Sequence, residues 1–120
     1  MSDNEYDIEL FFKALADRTR LRVLHLLGDD EVCVYSVVQA LQATQPKISR
    51  HLAYLRRAGL VTARRQGKWM YYRIIDPPDS DTAEVFRQVR HGLTTVPQME
   101  RDRAELFRLT NGHKKDQFSP

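Results

Sequence analysis

Between Thr44 and Gly59 the chain spells a helix with both ends marked. Thr44 has the side chain that accepts from a helix's first free N–H groups. Pro46 falls in the first turn, where its missing N–H costs nothing, and Gly59 supplies the left-handed position after the last turn. At 100° per residue, Ile48, Leu52 and Leu55 gather on one side and must pack inward, while Pro46, Lys47, Ser49, Arg50, Ala53, Tyr54 and Arg57 lie opposite them. A helix divided in this way belongs on the surface of a small domain, with its basic side free.

Beyond Gly59 the period changes from helical to strand-like. Leu60–Ala63 leads in and Trp69–Ile75 leads out, the second rich in aromatic and β-branched residues, with Gln66-Gly67 as a two-residue hairpin signal. Residues 45–75 carry eight Lys or Arg and no Asp or Glu. The net charge is −4 over residues 1–42, +8 over 43–75 and −1 over 76–120, so the modest total of +3 hides a strong asymmetry. A solvated face usually mixes signs. A one-sign folded segment between acidic thirds points to a polyanion, and duplex DNA is the leading ligand.

The remaining pattern is helical. Residues 1–7 read as a flexible N-terminus, 8–109 as the folded DNA-binding and dimerisation domain, and 110–120 as a flexible tail. Ile8, Leu10, Phe11, Phe12, Ala14 and Leu15 predict a helix buried on more than one side. Asp17 caps a second helix, Arg18 to Leu27, with Leu21, Leu24 and Leu27 as its stripe and Val23 beside it. Gly28 ends it, and Arg18, Arg20 and Arg22 are assigned to solvent, one within reach of a phosphate. A third helix covers Tyr35 to Leu41, facing the core with Val37, Val38 and Leu41, and Ala43-Thr44-Gln45 connects it to the fourth. A long helix from about Thr82 to Thr95, with Val85, Phe86, Val89 and Leu93 as its stripe, is interrupted or kinked at Pro97 and continues over 98–109. The fold class is mainly α with a small β-hairpin, a winged helix-turn-helix, and a chain of this size completes its core by two-fold dimerisation.

In a helix-turn-helix the second helix lies in the major groove. Lys47 and Arg50 carry donors for guanine N7 and O6, Ser49 donates or accepts, and Ala53 permits close approach. His51 sits at the edge of the two faces, Gln45 at the helix N-terminus, and Tyr54 on the outer face. Base or near-base contacts fall to Lys47, Ser49, Arg50 and His51, phosphate contacts to Arg56, Arg57, Arg64, Arg65 and Lys68. Trp69, Tyr71 and Tyr72 are read as packing at the root of the wing.

Three segments, FFKALADRTRLRVLHLL, QPKISRHLAYLRRAGLV and RRQGKWMYYRI, resemble the ArsR/SmtB family of winged-helix repressors, above all its arsenical-resistance branch, over residues 8–75. The resemblance implies a homodimer formed by the first and last helices. It also implies repression by occupying an inverted-repeat operator, and release when As(III) or another thiophilic metal ion binds as inducer. The branch carries three cysteines in ELCVCDLC at the start of the third helix, where this chain has EVCVYSVV. Cys33 matches the first; Tyr35 and Val38 stand at the other two. A soft metalloid needs several thiolates, and phenol and isopropyl groups do not replace them. The family's zinc-type site wants an Asp-x-His pair on the last helix; residues 79–95 offer Asp79, Asp81, Glu84 and His91 without that spacing.

No nucleophile elbow, phosphate loop or HExxH is present, so the chain is not expected to be an enzyme. MSDNEYDIEL lacks the basic and apolar regions of a signal peptide, no apolar run approaches the roughly 20 residues of a membrane span, and one cysteine makes no intrachain disulfide, so a cytoplasmic protein with no membrane partner is expected. Two alternatives stand beside the repressor: the same DNA-binding fold with a thiol, redox or non-metal inducer at Cys33, and a protein-interaction module with incidental DNA binding.

Overall fold

Apolar spacing and caps divide the chain into six helices and three short strands in the computed structural model, which describes residues 5–111. They are α1 (Ile8–Leu15), α2 (Arg18–Leu27), β1 (Val32–Cys33), α3 (Val34–Leu41), α4 (Gln45–Arg57), β2 (Val61–Gln66), β3 (Trp69–Ile74), α5 (Ser80–Leu93) and α6 (Pro97–Asn111). Ordered contacts begin before the domain start expected at residue 8. Asp7 caps α1 by accepting from Leu10 N at 3.0 Å, and the Tyr6 hydroxyl donates to Ala58 O at the end of α4. α6 runs two residues past the expected boundary at 109; the rest of the predicted tail lies outside the described residues.

The core is built where the stripes meet. Phe11, Leu24, Leu26, Leu27, Ile48, Leu52, Leu55, Leu60 and Phe86 are fully buried in one cluster. Burying Ile48, Leu52 and Leu55 contributes about 1.5–3 kcal/mol each, enough to hold a helix whose other face carries like charges. α1 is buried on one side only: Phe11 and Ala14 are inside, whereas Ile8 and Phe12 are about half exposed. In α2 the inward residues are Val23, Leu24, Leu26 and Leu27, and Leu21 is at the margin. In α5 they are Thr82, Ala83, Phe86 and Leu93, and Val85 faces out.

The sheet has three strands rather than two, in antiparallel order β1-β3-β2. Two residues before α3 form β1, pairing Val32 with Tyr72 and Cys33 with Tyr71, too short a run to show an alternation in sequence. Gln66 pairs with Trp69, so Gly67 (φ +61°) and Lys68 make the turn, not Gln66-Gly67. That puts glycine at the first turn position, where a II′ hairpin needs positive φ. Met70, Tyr72 and Ile74 lean on the core, whereas Trp69 and Tyr71 alternate to the other face. Of the three aromatics expected at the wing root, only Tyr72 joins the core. Trp69 meets Tyr35 edge-on at 6.2 Å.

Pro97 begins a new helix instead of kinking an old one. The last turn of α5 tightens through Thr94 N to His91 O and Val96 N to Leu93 O, and proline's fixed φ suits the first position of α6. α6 folds back over α2 and α3. Arg22 forms two bonds to Asp102, at 2.8 and 2.9 Å, Gln98 donates to the same carboxylate at 3.0 Å, and Met99 is buried. The assignment of Arg22 to solvent is thus corrected: its charge meets a nearly buried carboxylate, and such a pair fixes geometry more than it adds stability.

Candidate nucleic-acid interface

The connection from α3 to α4 turns on Gln42, whose backbone is left-handed (φ 54°, ψ 44°), a conformation uncommon outside glycine and not legible from its residue type. Ala43 and Thr44 complete the link. Thr44 then caps α4 by accepting from Lys47 N at 3.4 Å, and Pro46 stands in the first turn as the sequence predicts. Gln45, Lys47, Ser49, Arg50, Ala53, Arg56 and Arg57 are all exposed along one side of α4, opposite Ile48, Leu52 and Leu55. None of Lys47, Arg50, Arg56 or Arg57 meets a carboxylate among the described residues, so this face offers unpaired cations around a small, approachable centre.

Two residues of the predicted site are turned into the protein. His51, with 18% of its side chain exposed, places Nδ1 3.3 Å from Arg20 Nη1. Guanidinium only donates, so in this contact the nitrogen takes the acceptor role, which a neutral ring with its proton on Nε2 can fill. Burial, then the charges of Arg20, Lys47 and Arg50, lower the pKa of His51 against the opposing pull of Asp17, whose carboxylate lies farther off at 4.0 Å. Tyr54 lies under two guanidinium groups, Arg20 at 4.1 Å and Arg57 at 4.8 Å. The sequence assigned Arg20 to solvent and His51 to bases; the structure binds the two to each other, because the flank of α4 packs against the start of α2.

The wing is divided too. Arg65 and Lys68 are exposed at its tip, with Lys68 Nζ 5.7 Å from the Trp69 ring. Arg64, expected to grip phosphate, lies within β2 and is claimed by Glu31: two bonds at 2.9 and 2.8 Å, a third to Gln66, and Tyr71 beneath it at 4.9 Å. This hydrogen-bonded pairing holds the Glu31 carboxyl below its usual range. Sequence separation hides the pair, since β1 carries Glu31 to the wing only once the third strand forms.

Cys33 ends β1 opposite Tyr71 and is nearly buried at 4%. Tyr35 is exposed and leans on Trp69. Among the described residues no three His, Cys, Asp or Glu side chains come together as metal ligands. Asp79 is occupied as the cap of α5, accepting from Thr82 N and Oγ1, Glu84 pairs with Arg87, and His91 is exposed. The described residues therefore do not fit a three-thiolate site, nor the last-helix site considered from sequence. No described helix is long and apolar enough to cross a membrane.

Taken together, a capped basic helix, the short connection before it and a hairpin beside it define a winged helix-turn-helix. Residues 17–63 match the bacterial regulatory protein, arsR family. The arsenical resistance operon repressor of Escherichia coli is 55% identical over 64 residues, 52% of this chain and 55% of that protein. The arsenic resistance transcriptional regulator ArsR1 of Pseudomonas putida is 52% identical over 66 residues, 54% of this chain and 52% of that protein. The solved structure of HlyU from Vibrio cholerae superposes with a TM-score of 0.60 at 30% identity, covering 74% of this chain and 97% of that one. The chain belongs to the ArsR family, a family of helix-turn-helix regulators rather than enzymes. It spans about half the length of the arsenic-resistance relatives it matches.

Proposed function

We propose that the protein is a sequence-specific DNA-binding repressor that sets α4 in the major groove and the tip of its wing on the flanking backbone. The observation that carries this reading is the side of α4 from Gln45 to Arg57, where Lys47, Ser49 and Arg50 stand exposed and unpaired above a buried Ile48-Leu52-Leu55 stripe. Lys47, Ser49 and Arg50 read bases; Arg56, Arg57, Arg65 and Lys68 hold phosphates. Dimerisation supplies the second half-site. Phe11 and Phe86 join α1 to α5 at 6.0 Å, and the same two helices carry the exposed apolar side chains Ile8, Phe12 and Val85, which a second copy would cover. α5, rather than α6, is the C-terminal helix for this role, since α6 already covers α2 and α3. The operator is then an inverted repeat, and the protein works in the cytoplasm.

Selection of duplexes from a random pool by the full chain tests the reading. Recovered inverted repeats bound at least about 10³-fold more tightly than shuffled duplexes are expected. A ratio near one would instead favour a protein-interaction module.

The relatives are named for arsenic resistance, which supports a metalloid as the inducer, and a thiophilic inducer here has one thiol per protomer, Cys33. Adding arsenite, zinc or peroxide to the preformed complex, with and without Cys33→Ser, separates metal release from thiol oxidation. Release by arsenite that survives Cys33→Ser would take the inducer site away from β1.

A further inference from the structure

We propose that Arg20 is the positioning residue of the DNA-reading helix: from α2 it ties the end of α1 to the middle of α4, and so sets the rotation at which Lys47, Ser49 and Arg50 meet the bases. The inference rests on the DNA-binding reading above and adds to it a residue outside the helix-turn-helix.

All parts of the Arg20 guanidinium are in use. Nε donates to Ala14 O at 2.8 Å and Nη2 to Lys13 O at 2.9 Å, a carbonyl that also accepts from Ala16 N, so the group binds the C-terminal end of α1. A cation there also meets the negative end of the helix dipole. Nη1 contacts His51 Nδ1 at 3.3 Å, and the guanidinium carbon lies over the Tyr54 ring, 4.1 Å from its centroid. Asp17, the cap of α2, comes within 3.9 Å of Nη1. Only 12% of the Arg20 side chain is exposed, so its charge is spent inside the subunit and not on phosphate.

The need for such a bracket comes from how α4 is held. Ile48, Leu52 and Leu55 fix its depth and which face is buried, and directional polar contacts are what narrow the remaining rotation. Base readout is unforgiving, since a recognition group must be held within about 0.5 Å and 10–20°. His51 and Tyr54 are three residues apart and therefore share one flank of α4. The directional contact to His51 and the cation over the Tyr54 ring on that flank stop the rotation, and Arg50 is the neighbour of His51. Lysine would deliver a point charge but neither the fork nor the plane. The bracket also joins α4 to α1, which carries Ile8 and Phe12 of the proposed dimer contact, so the spacing of two reading helices depends on it.

The test uses the full-length wild type, Arg20→Lys and Arg20→Met, an inverted-repeat duplex selected by the wild type, and a shuffled duplex of the same composition. Both variants are expected to lose about ten-fold or more for the selected duplex. Affinity for the shuffled duplex should stay within about two-fold of wild type, with the salt slope unchanged, because no phosphate contact is removed. A selected-to-shuffled ratio that survives both substitutions overturns the inference. So does a parallel fall in both affinities with a shallower salt slope, which would make Arg20 a phosphate contact. Circular dichroism and thermal unfolding accompany each measurement. If both variants lose the fold, Arg20 holds the domain together and the positioning role is overturned; if only Arg20→Met does, Arg20→Lys decides. A wild-type ratio near one would overturn the DNA-binding reading beneath it, an outcome distinct from a wild type that discriminates beside variants that still do.

Discussion

Replacing Glu31 with glutamine changes how many cations the wing can lend to DNA, and salt dependence counts them. In the proposed reading Lys47 and Arg50 go to bases, and Arg64 is held by Glu31 through two bonds of 2.8 and 2.9 Å. Of the proposed phosphate contacts, Arg56, Arg57, Arg65 and Lys68 remain, all exposed. A dimer then neutralises about eight phosphates, which gives a slope of log K against log salt of about −7 and an affinity loss of about 10⁴ between about 50 and 200 mM salt. Glu31→Gln leaves an amide where the carboxylate was and frees Arg64 in both protomers, raising the count to about ten and steepening the slope to about −9. Fluorescence anisotropy of a labelled selected duplex, over a salt series at constant pH, measures both slopes. An unchanged slope in Glu31→Gln would refute the reasoning, since it would mean that Arg64 already leaves Glu31 for phosphate on binding. A wild-type slope shallower than about −3 would remove the groove-and-wing placement altogether.

The same geometry sets further outcomes. Arg50→Ala should erase preference at one base step, about 1–3 kcal/mol, while leaving the other steps as they were; uniform weakening across all steps would make Arg50 a phosphate contact. Stability should fall with pH below neutrality. Burial lowers the pKa of His51 and of His25, with Arg103 lowering the latter further against Asp102. Each is protonated more readily unfolded than folded, so its contribution is complete above about pH 6.5 and is lost as pH drops through the folded value, with a slope of at most about 1.4 kcal/mol per pH unit each. Urea midpoints at pH 7.5 and pH 5.5 should show the drop, and His51→Gln should flatten it; greater stability at pH 5.5 would contradict the assignment. Phe12→Glu together with Val85→Glu should yield a folded monomer by sedimentation, and a dimer of undiminished affinity would place the interface elsewhere.

Much of α4 was legible in residue order because its rules are local. Thr44, Pro46 and Gly59 act through their own backbone or the next turn, and the division of Ile48, Leu52 and Leu55 from Lys47, Ser49 and Arg50 is helix geometry alone. Several of the errors trace to β1. β1 is too short to declare itself, and it takes a partner far along the chain, Tyr72 for Val32, to make it a strand. Without β1, Glu31 could not be placed beside Arg64, nor Trp69 beside Tyr35. Pro97 was ambiguous in sequence because proline both ends and begins helices; the buried Met99 and Asp102 on α2 and α3 decide that it begins one. Arg20 and Arg22 look alike in a run of alternating arginines, and nothing local says that one meets helix-end carbonyls and a tyrosine face, the other a carboxylate 80 residues on.

Residue order alone established where the positive charge lies and which helix carries it outward, because composition and period are properties of neighbours along the chain. Which of those charges are free was settled only when the elements packed together. A guanidinium is committed by whichever acceptor the fold brings within about 3 Å. For Arg20, Arg22 and Arg64 that acceptor arrives from another helix or strand, or from the segment beside one.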